Sequence, residues 1–346
     1  MTMNKEVRFR FPAEWEEECA VLVAWPHEDT DWSYMLDEIK GCYLQIVRTI
    51  TRYQPVIVIA PETSEPWSLL GDIASDRLYF VDVPTNDTWT RDYGPITLVG
   101  DGISSLLDFC FNGWGMKFAA DKDNLVNERL SGEKLFDVRL VNLRDFVLEG
   151  GGIESDGDGS IMTTKRCQLS PNRNATLNIS EIEKRLLDIF RSQQILWVNH
   201  GYLAGDDTDS HIDTLARFAP NGSIVYVGCN DPEDEHYEEL LKMKHDITGF
   251  RRRDGSMYNL IELPLPDPVF DEEGLRLPAT YANFLALPNV VIMPSYGQPA
   301  KDTLARQLLE VAFERPVECV DCRPLIKQHG SLHCATMQIP LKALAL

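Results

Sequence analysis

The stretch LEGGGIESDG, residues 148–157, runs from an apolar approach into three consecutive glycines and then into acidic turn residues. Glycine loses more conformational freedom on folding than any other residue, so three in a row make sense where backbone must pass close to something. That reading puts Glu149 at the lip of a site; the plainer one is a glycine-rich hairpin turn. Three similar polar, glycine-flanked stretches follow strand-like runs: NDTWTRDYGP (86–95), GDDTDSHIDT (205–214) and HGSLHCAT (329–336). In chain order the first three are about 60 residues apart and the last comes about twice that later, which leaves room for one silent unit around TYANFLAL, 280–287. Modules set around one axis would bring these polar tips into a central cavity.

The segments between them alternate in period. CAVLVAWP (19–26), PVIVIA (55–60), LYFVDVP (78–84), SIVYVG (223–228) and NVVIMPS (289–295) read as buried strands bounded by turn residues. SYMLDEIKGCYLQIVRTITRY (33–53), ISEIEKRLLDIFRSQ (179–193) and AKDTLARQLLEVAF (300–313) carry apolar residues at helical spacing. The second opens with Ser180 and Glu183 in capping-box spacing. ELPLPDPVFDEEG (262–274) reads as a surface loop. Strands alternating with helices mean an α/β protein. Length alone, 346 residues, suggests two or three domains, yet no linker or low-complexity tract marks a boundary.

The 33 basic and 54 acidic side chains leave a net charge of -21. Such a surface repels nucleic acid and anionic membranes, and attracts a cationic substrate where the charge converges on a cleft. Eight cysteines in this length are no dense disulfide framework. MTMNKEVRFRFPAEWEEE, the first 18 residues, lacks the apolar core of a signal peptide. These features lead to the expectation of a reduced, cytoplasmic protein without a membrane span.

Four places can carry chemistry. In GDDTDSHID, an extended backbone would point His211 and Asp213 to one face, as a proton-transfer unit or a metal site. A metallohydrolase would use His211, Asp209 and Asp213; the plain alternative is an acidic turn. In NDTWTRDYGP, Asp87, Asp92 and the face of Trp89 would suit a planar cation. ESDGDG lacks the spacing of a calcium loop and reads as a surface turn. Cys334, a residue type usually buried as a small hydrophobe, follows glycine and polar residues beside His329 and His333, which shifts the reading towards an active thiol and leaves both open. Cys319 and Cys322 form one C-x-x-C without the second pair a zinc site needs.

WTRDYGP, LEGGGIESDG, DDTDSHIDTLARF and GSLHCATMQIP, in this order, resemble the agmatine deiminase and Porphyromonas-type peptidylarginine deiminase family. WEEECAVLVAWPHEDTDW near the start and FNGWGMKFAADKDNLVNERL (111–130) extend the resemblance over nearly the whole chain. It implies a pentein α/β propeller: five ββαβ-type modules with pseudo-fivefold symmetry around a central channel, as a single domain over residues 1–346. It implies hydrolysis of a guanidinium to a ureido group with release of ammonia, with no cofactor and no metal. By resemblance Cys334 is the nucleophile, His211 the general acid/base, and Glu149 the carboxylate that orients His211. Asp92 and Asp213 grip the guanidinium nitrogens. The other seven cysteines are structural.

The sequence departs from the common pattern twice: Asp209-Ser210-His211 replaces Asp-Gly-His, and His329-Gly330-Ser331-Leu332 replaces a glycine-rich run. The expected activity is agmatine deiminase, giving N-carbamoylputrescine for polyamine synthesis. Asp207 would meet the distal amine of this small dication and Trp89 its alkyl chain. Peptidylarginine deiminase is the alternative with the same machinery; a non-catalytic cation binder is a further one. Family analogy also allows a homodimer.

Overall fold

Strand β1 (Cys19–Ala24) is buried at every position, and so is β2 (Val56–Ala60). Strands covered on both faces read as continuous Val/Ile runs, and that is why they were visible in the sequence. Helix α1 (Leu36–Ile50) links them and lays Ile39, Tyr43, Ile46, Val47 and Ile50 against the core. The two strands pair in parallel, and β3 (Leu78–Asp82) extends the sheet. This is a computed structural model describing residues 8–346; the first seven residues of the charged N-terminal stretch lie outside the described residues.

The same pattern then repeats: an antiparallel hairpin, a helix, and a third strand parallel to the second. The second module is β4 (Ile96–Val99), β5 (Ser104–Cys110), α2 (Val126–Gly132) and β6 (Leu140–Val147). The third is β7 (Ile153–Ser155), β8 (Ser160–Thr164), α3 (Ile179–Phe190) and β9 (Gln194–Val198). The fourth is β10 (Ala216–Ala219), β11 (Ser223–Gly228), α4 (Tyr237–Thr248) and β12 (Asn259–Pro264). The fifth is β13 (Leu285–Ala286), β14 (Val291–Ser295), α5 (Pro299–Phe313) and β15 (Val317–Asp321). Finally β16 (Met337–Pro340) returns to pair antiparallel with β1, Cys19 facing Pro340, and gives the first module its hairpin partner.

Five sheets thus form five ββαβ units, the pentein propeller implied by the resemblance. Hydrogen bonds between successive units run right round the ring. Arg91 N–H donates to the Cys334 carbonyl at 3.1 Å. Gly151 N–H donates to Asp92 at 2.9 Å, Thr164 to the Ser210 carbonyl at 2.7 Å, and Thr280 to the Thr214 carbonyl at 2.9 Å. His333 N–H closes the circle on Asn283 Oδ1 at 2.9 Å. The unit around 280–287 is therefore a full module, as the spacing required.

Three local readings change. The α3 cap is Asn178 with Glu181, a reciprocal capping box two residues earlier than Ser180 and Glu183. Asn is the stronger cap here because its short side chain reaches both Ser180 and Glu181 N–H groups. The expected loop at 262–274 begins only after Pro264, because β12 continues to pair with β11 up to Gly228. Residues 211–213 are not extended: Ile212–Thr214 is a 3-10 turn.

Arg217 on β10 lies near the ring centre, fully buried. It pairs with Glu14, donates to Glu154 at 2.9 Å and to the Phe284 carbonyl at 2.6 Å, and stacks on the Phe284 ring. Removing one partner of a buried ion cluster strands the others without charge compensation. Arg217→Met should therefore lower stability by about 3–5 kcal/mol in urea unfolding. A loss under about 1 kcal/mol, the range of an exposed ion pair, would show that the cluster does not hold the centre.

Candidate active site

Gly151 shows what the hub has to contain. A Cβ built on it would lie 2.7 Å from His211 Nδ1, 2.9 Å from Asp92 Oδ1 and 3.1 Å from Asp213 Oδ2. A Cβ on Gly150 would lie 2.1 Å from the Arg91 carbonyl. The glycines form a tight 3-10 turn, Gly150–Gly152, that lets three reactive side chains from two other modules approach one backbone segment. Glu149 is not at a lip: it is 1% exposed and sits behind the glycines.

His211 is fully buried and its Nε2 lies 2.9 Å from Glu149 Oε2. Arg173 Nε donates to both Glu149 oxygens, at 3.0 and 2.9 Å. Burial alone would push the Glu149 carboxyl up, but His211 and Arg173 together hold it below its usual range. Burial would likewise depress His211, yet Asp92, Cys167 and Glu149 around it raise its pKa well above that of a free imidazole. These neighbours favour the imidazolium form of His211. Its Nδ1 has no hydrogen-bond partner and is 3.6 Å from Asp92 Oδ1, so one ring nitrogen is anchored and the other is free to exchange a proton.

Asp92 accepts from Trp114 Nε1 and from Gly151 N–H, both at 2.9 Å. These donors are neutral; burial raises its pKa, the nearby His211 opposes this, and Asp213 and Glu149 add to the rise, which wins. Asp213 accepts from His333 Nδ1 at 2.7 Å and from Asn283 Nδ2 at 3.2 Å. Burial raises Asp213 too, but the bond and charge of His333 outweigh it and leave the group lowered. Asp213 Oδ1 is buried without a partner.

Cys334 Sγ is 3.3 Å from Asn283 Nδ2 and 3.8 Å from Asp213 Oδ2. Burial, then Asp213 and Asp92, raise its pKa well above that of an ordinary thiol. The free protein holds Cys334 as a neutral thiol; a cation docked between the two carboxylates would reverse this balance.

Of these groups Asp92 and Cys334 line a cavity of about 500 Å³, with Trp89, Trp114 and Phe118 as apolar walls. Asp31, Asp87, Asp207 and His329 also line it, and among the described residues no Lys or Arg does. Asp87 is pushed up to about 7, chiefly by burial. Asp207 is at the open end, where its side chain is 42% exposed and 3.7 Å from His329 Nε2. Trp89 is packed so closely that a Cβ on Gly330 would meet its ring at 2.4 Å. Both sequence departures, Ser210 (φ 64°) and His329 (φ 65°), hold side-chain-bearing residues in the left-handed region. Each costs on the order of 1–3 kcal/mol, a strain that glycine would avoid.

The structure brings Asp92, Glu149, His211, Asp213 and Cys334 to one hub. It does not bring Asp209 to a metal cluster with His211 and Asp213. Asp209 instead takes Arg173 at 2.5 Å and Lys117 at 2.8 Å. Among the described residues, Glu149, Cys167 and His211 offer metal-ligand atoms within 4.8 Å of one another. A cation there would have to displace the Arg173 guanidinium and a proton of His211. Asn283 and Arg173 were missed. The one signal for Asn283 was a lone amide in the apolar run TYANFLAL.

Two outcomes follow from this geometry. Gly151→Ala should lower kcat/KM at least ~100-fold, since displacing reacting groups by about 1 Å has that effect. Unchanged kinetics with the native fold would show that the close approach is not needed. Alkylation of Cys334 in the free protein, followed by peptide mapping, should keep accelerating as pH rises past the ordinary thiol range. A plateau below pH 8 would contradict a raised pKa.

A family model described as Porphyromonas-type peptidyl-arginine deiminase matches residues 10–340. A solved structure from Porphyromonas gingivalis, provisionally named arginine deiminase, is 46% identical with a TM-score of 0.93, covering 97% of this chain and 100% of that one. A cysteine-to-serine variant of C. jejuni agmatine deiminase, solved with substrate bound, is 39% identical with a TM-score of 0.91, covering 99% of each chain. A Legionella pneumophila (strain Paris) protein provisionally named agmatine deiminase is 31% identical over 98% of this chain and 97% of its own length. With five modules in a ring, a buried thiol at the hub and a match along almost its whole length, the chain belongs to the Porphyromonas-type peptidyl-arginine deiminase family.

Proposed function

We propose that this protein is an agmatine deiminase, acting through a covalent amidino-cysteine at Cys334. The observation that carries this reading is the cavity lining: a thiol and Asp92, then Asp31, Asp87 and Asp207, with His329 beside Asp207 and, among the described residues, no Lys or Arg. A diamine-like substrate with a guanidinium at one end and an ammonium at the other fits that charge pattern. Free arginine would carry its α-carboxylate against the same acidic wall, an unfavourable like-charge contact.

In this reading Asp92 and Asp213 hold the guanidinium, and its charge draws Cys334 to the thiolate, the thiol proton passing to solvent as the substrate binds. Sulfur attacks the central carbon. His211 Nδ1 gives its proton to the departing nitrogen, ammonia leaves, and an amidino-thioether remains. His211 then takes a proton from water as the water attacks, and the C–S bond breaks. Glu149, fixed by Arg173, keeps the Nε2 side of His211 occupied throughout. Trp89 packs on the substrate's alkyl chain and Asp207 or Asp87 meets the distal amine.

Because different modules supply these groups, we take residues 1–346 to work as a single domain. Eight free cysteines favour the reducing cytoplasm, and among the described residues no helix is long and apolar enough to cross a membrane. Family analogy is the support for a homodimer.

The test is ammonia and ureido-product release with agmatine, free arginine and an arginine-containing peptide, with and without chelator. Agmatine should be turned over, arginine should lag by at least ~100-fold, and chelator should have no effect. Preference for the peptide would move the protein to the peptidylarginine branch. Cys334→Ala and His211→Ala should each retain the fold and lose at least ~1,000-fold in kcat. Near-normal turnover by either variant would remove that residue from the mechanism.

A further inference from the structure

His333 precedes the thiol in sequence but faces the other way. Cys334 lines the acidic cavity, whereas His333 lines a second one, of about 670 Å³, together with Glu14, Arg91 and Glu154. The imidazole spans the wall between them. Its Nδ1 is 2.7 Å from Asp213 Oδ2 and its Nε2 is 2.8 Å from Glu14 Oε2. The ring is 2% exposed, and Glu14 is fixed on its other oxygen by the Ala286 N–H at 2.8 Å and Gln338 Nε2 at 2.7 Å.

Two carboxylates at these distances each require a hydrogen on the nitrogen they face. Arg217 Nη2 lies 3.1 Å from Nε2, but Arg217 also pairs with Glu14. An ionised Glu14 could not sit this close to a bare Nε2 lone pair. Burial would push the Glu14 carboxyl up, yet Arg217 and His333 hold it well below its usual range. Each ring nitrogen therefore faces a carboxylate oxygen at hydrogen-bond distance.

We infer that His333 is a positioning residue, an imidazolium clamped by Glu14 that keeps Asp213 ionised and correctly turned for the substrate guanidinium. Asp213 faces His211, Cys334 and Asp92 from the catalytic side. His333 faces Glu14, Glu154, Arg217 and Arg91 from the other. Among the close partners of Asp213, His333 is the one that supplies charge and a hydrogen bond together. Asp92 has no equivalent partner. The two guanidinium-holding carboxylates are thereby made unlike, one ionised in advance and one completed by the substrate itself. A residue near the start of the chain, Glu14, reaches the reaction through a single ring.

The inference rests on the deiminase reading for its kinetic arm and has an arm that does not. Asp213 must be charged to hold a cation, so activity falls as pH drops through its pKa. Weakening the imidazolium raises that pKa, and the fall then begins at higher pH. Glu14→Gln and His333→Gln should shift the acid limb of kcat/KM for agmatine upward by about one pH unit. On that acid limb the loss should fall on KM, about tenfold, with kcat within about twofold. Variants whose profile superposes on the wild type, or whose loss is uniform across pH, would overturn the inference. Independently, nitrogen-15 histidine NMR of the unliganded wild-type protein at neutral pH should show hydrogen on both His333 nitrogens. A single protonated nitrogen would overturn it, whether or not either variant folds. A wild-type protein silent on agmatine would refute the substrate reading and leave the NMR result decisive for His333.

Discussion

Carboxylates at the centre of this molecule are cut off from water, and the hub is arranged around the cost of keeping them there. Asp92, Glu149 and Asp213 are all buried, and each meets that cost differently. Glu149 has a guanidinium on one side and an imidazolium on the other. Asp213 has the His333 ring and one amide. Asp92 has hydrogen bonds only from an indole and a backbone N–H, both neutral, with the His211 ring further off at 3.6 Å. The series runs from a fully compensated charge to an under-compensated one. The group left short faces the cavity where a cation would bind. Binding energy is then available only to a ligand that brings positive charge to that spot, which joins recognition to activation of the neighbouring thiol.

No module holds a site alone. Asp92, Glu149, the His211–Asp213 pair, Asn283 and Cys334 come from successive units, and several hydrogen bonds that join the units also orient these side chains. Gly151 N–H both links two modules and fixes Asp92. Asn283 Oδ1 takes the backbone N–H of His333 while its Nδ2 reaches Asp213 and Cys334. Loosening the ring at any joint therefore reaches the chemistry, and the site gains rigidity from the whole fold rather than from one loop.

How much of this was legible in the sequence depended on range. Continuous Val/Ile runs marked β1, β2 and β11 because burial on both faces leaves no room for alternation. The four polar tips were visible because glycine and acidic residues interrupt those runs. The spacing of the tips hinted at repeated units, but the ring itself came only through resemblance, since the modules share no detectable identity. Glu149 was placed too near the surface. Its compensating partner, Arg173, lies 24 positions away in an unremarkable turn, and nothing local announces the pairing. The Glu14–His333 contact spans 319 positions and left no trace in composition or spacing. The fifth module looked silent because its one polar contribution is a single asparagine among apolar neighbours.

The pairing of β16 with β1 also governs the order in which the protein comes into being. As the chain leaves the ribosome, β1 emerges early and waits for its antiparallel partner through more than 300 intervening residues. Such a long closure is slow, because loop entropy is lost before the contact gives anything back. Cys334 emerges only just before that last strand. A nascent chain thus carries its carboxylates and His211 well before it carries a nucleophile, and the nucleophile arrives with the segment that shuts the ring. Reactive assembly and topological completion become a single late event, so an unfinished chain has no active thiol to misdirect.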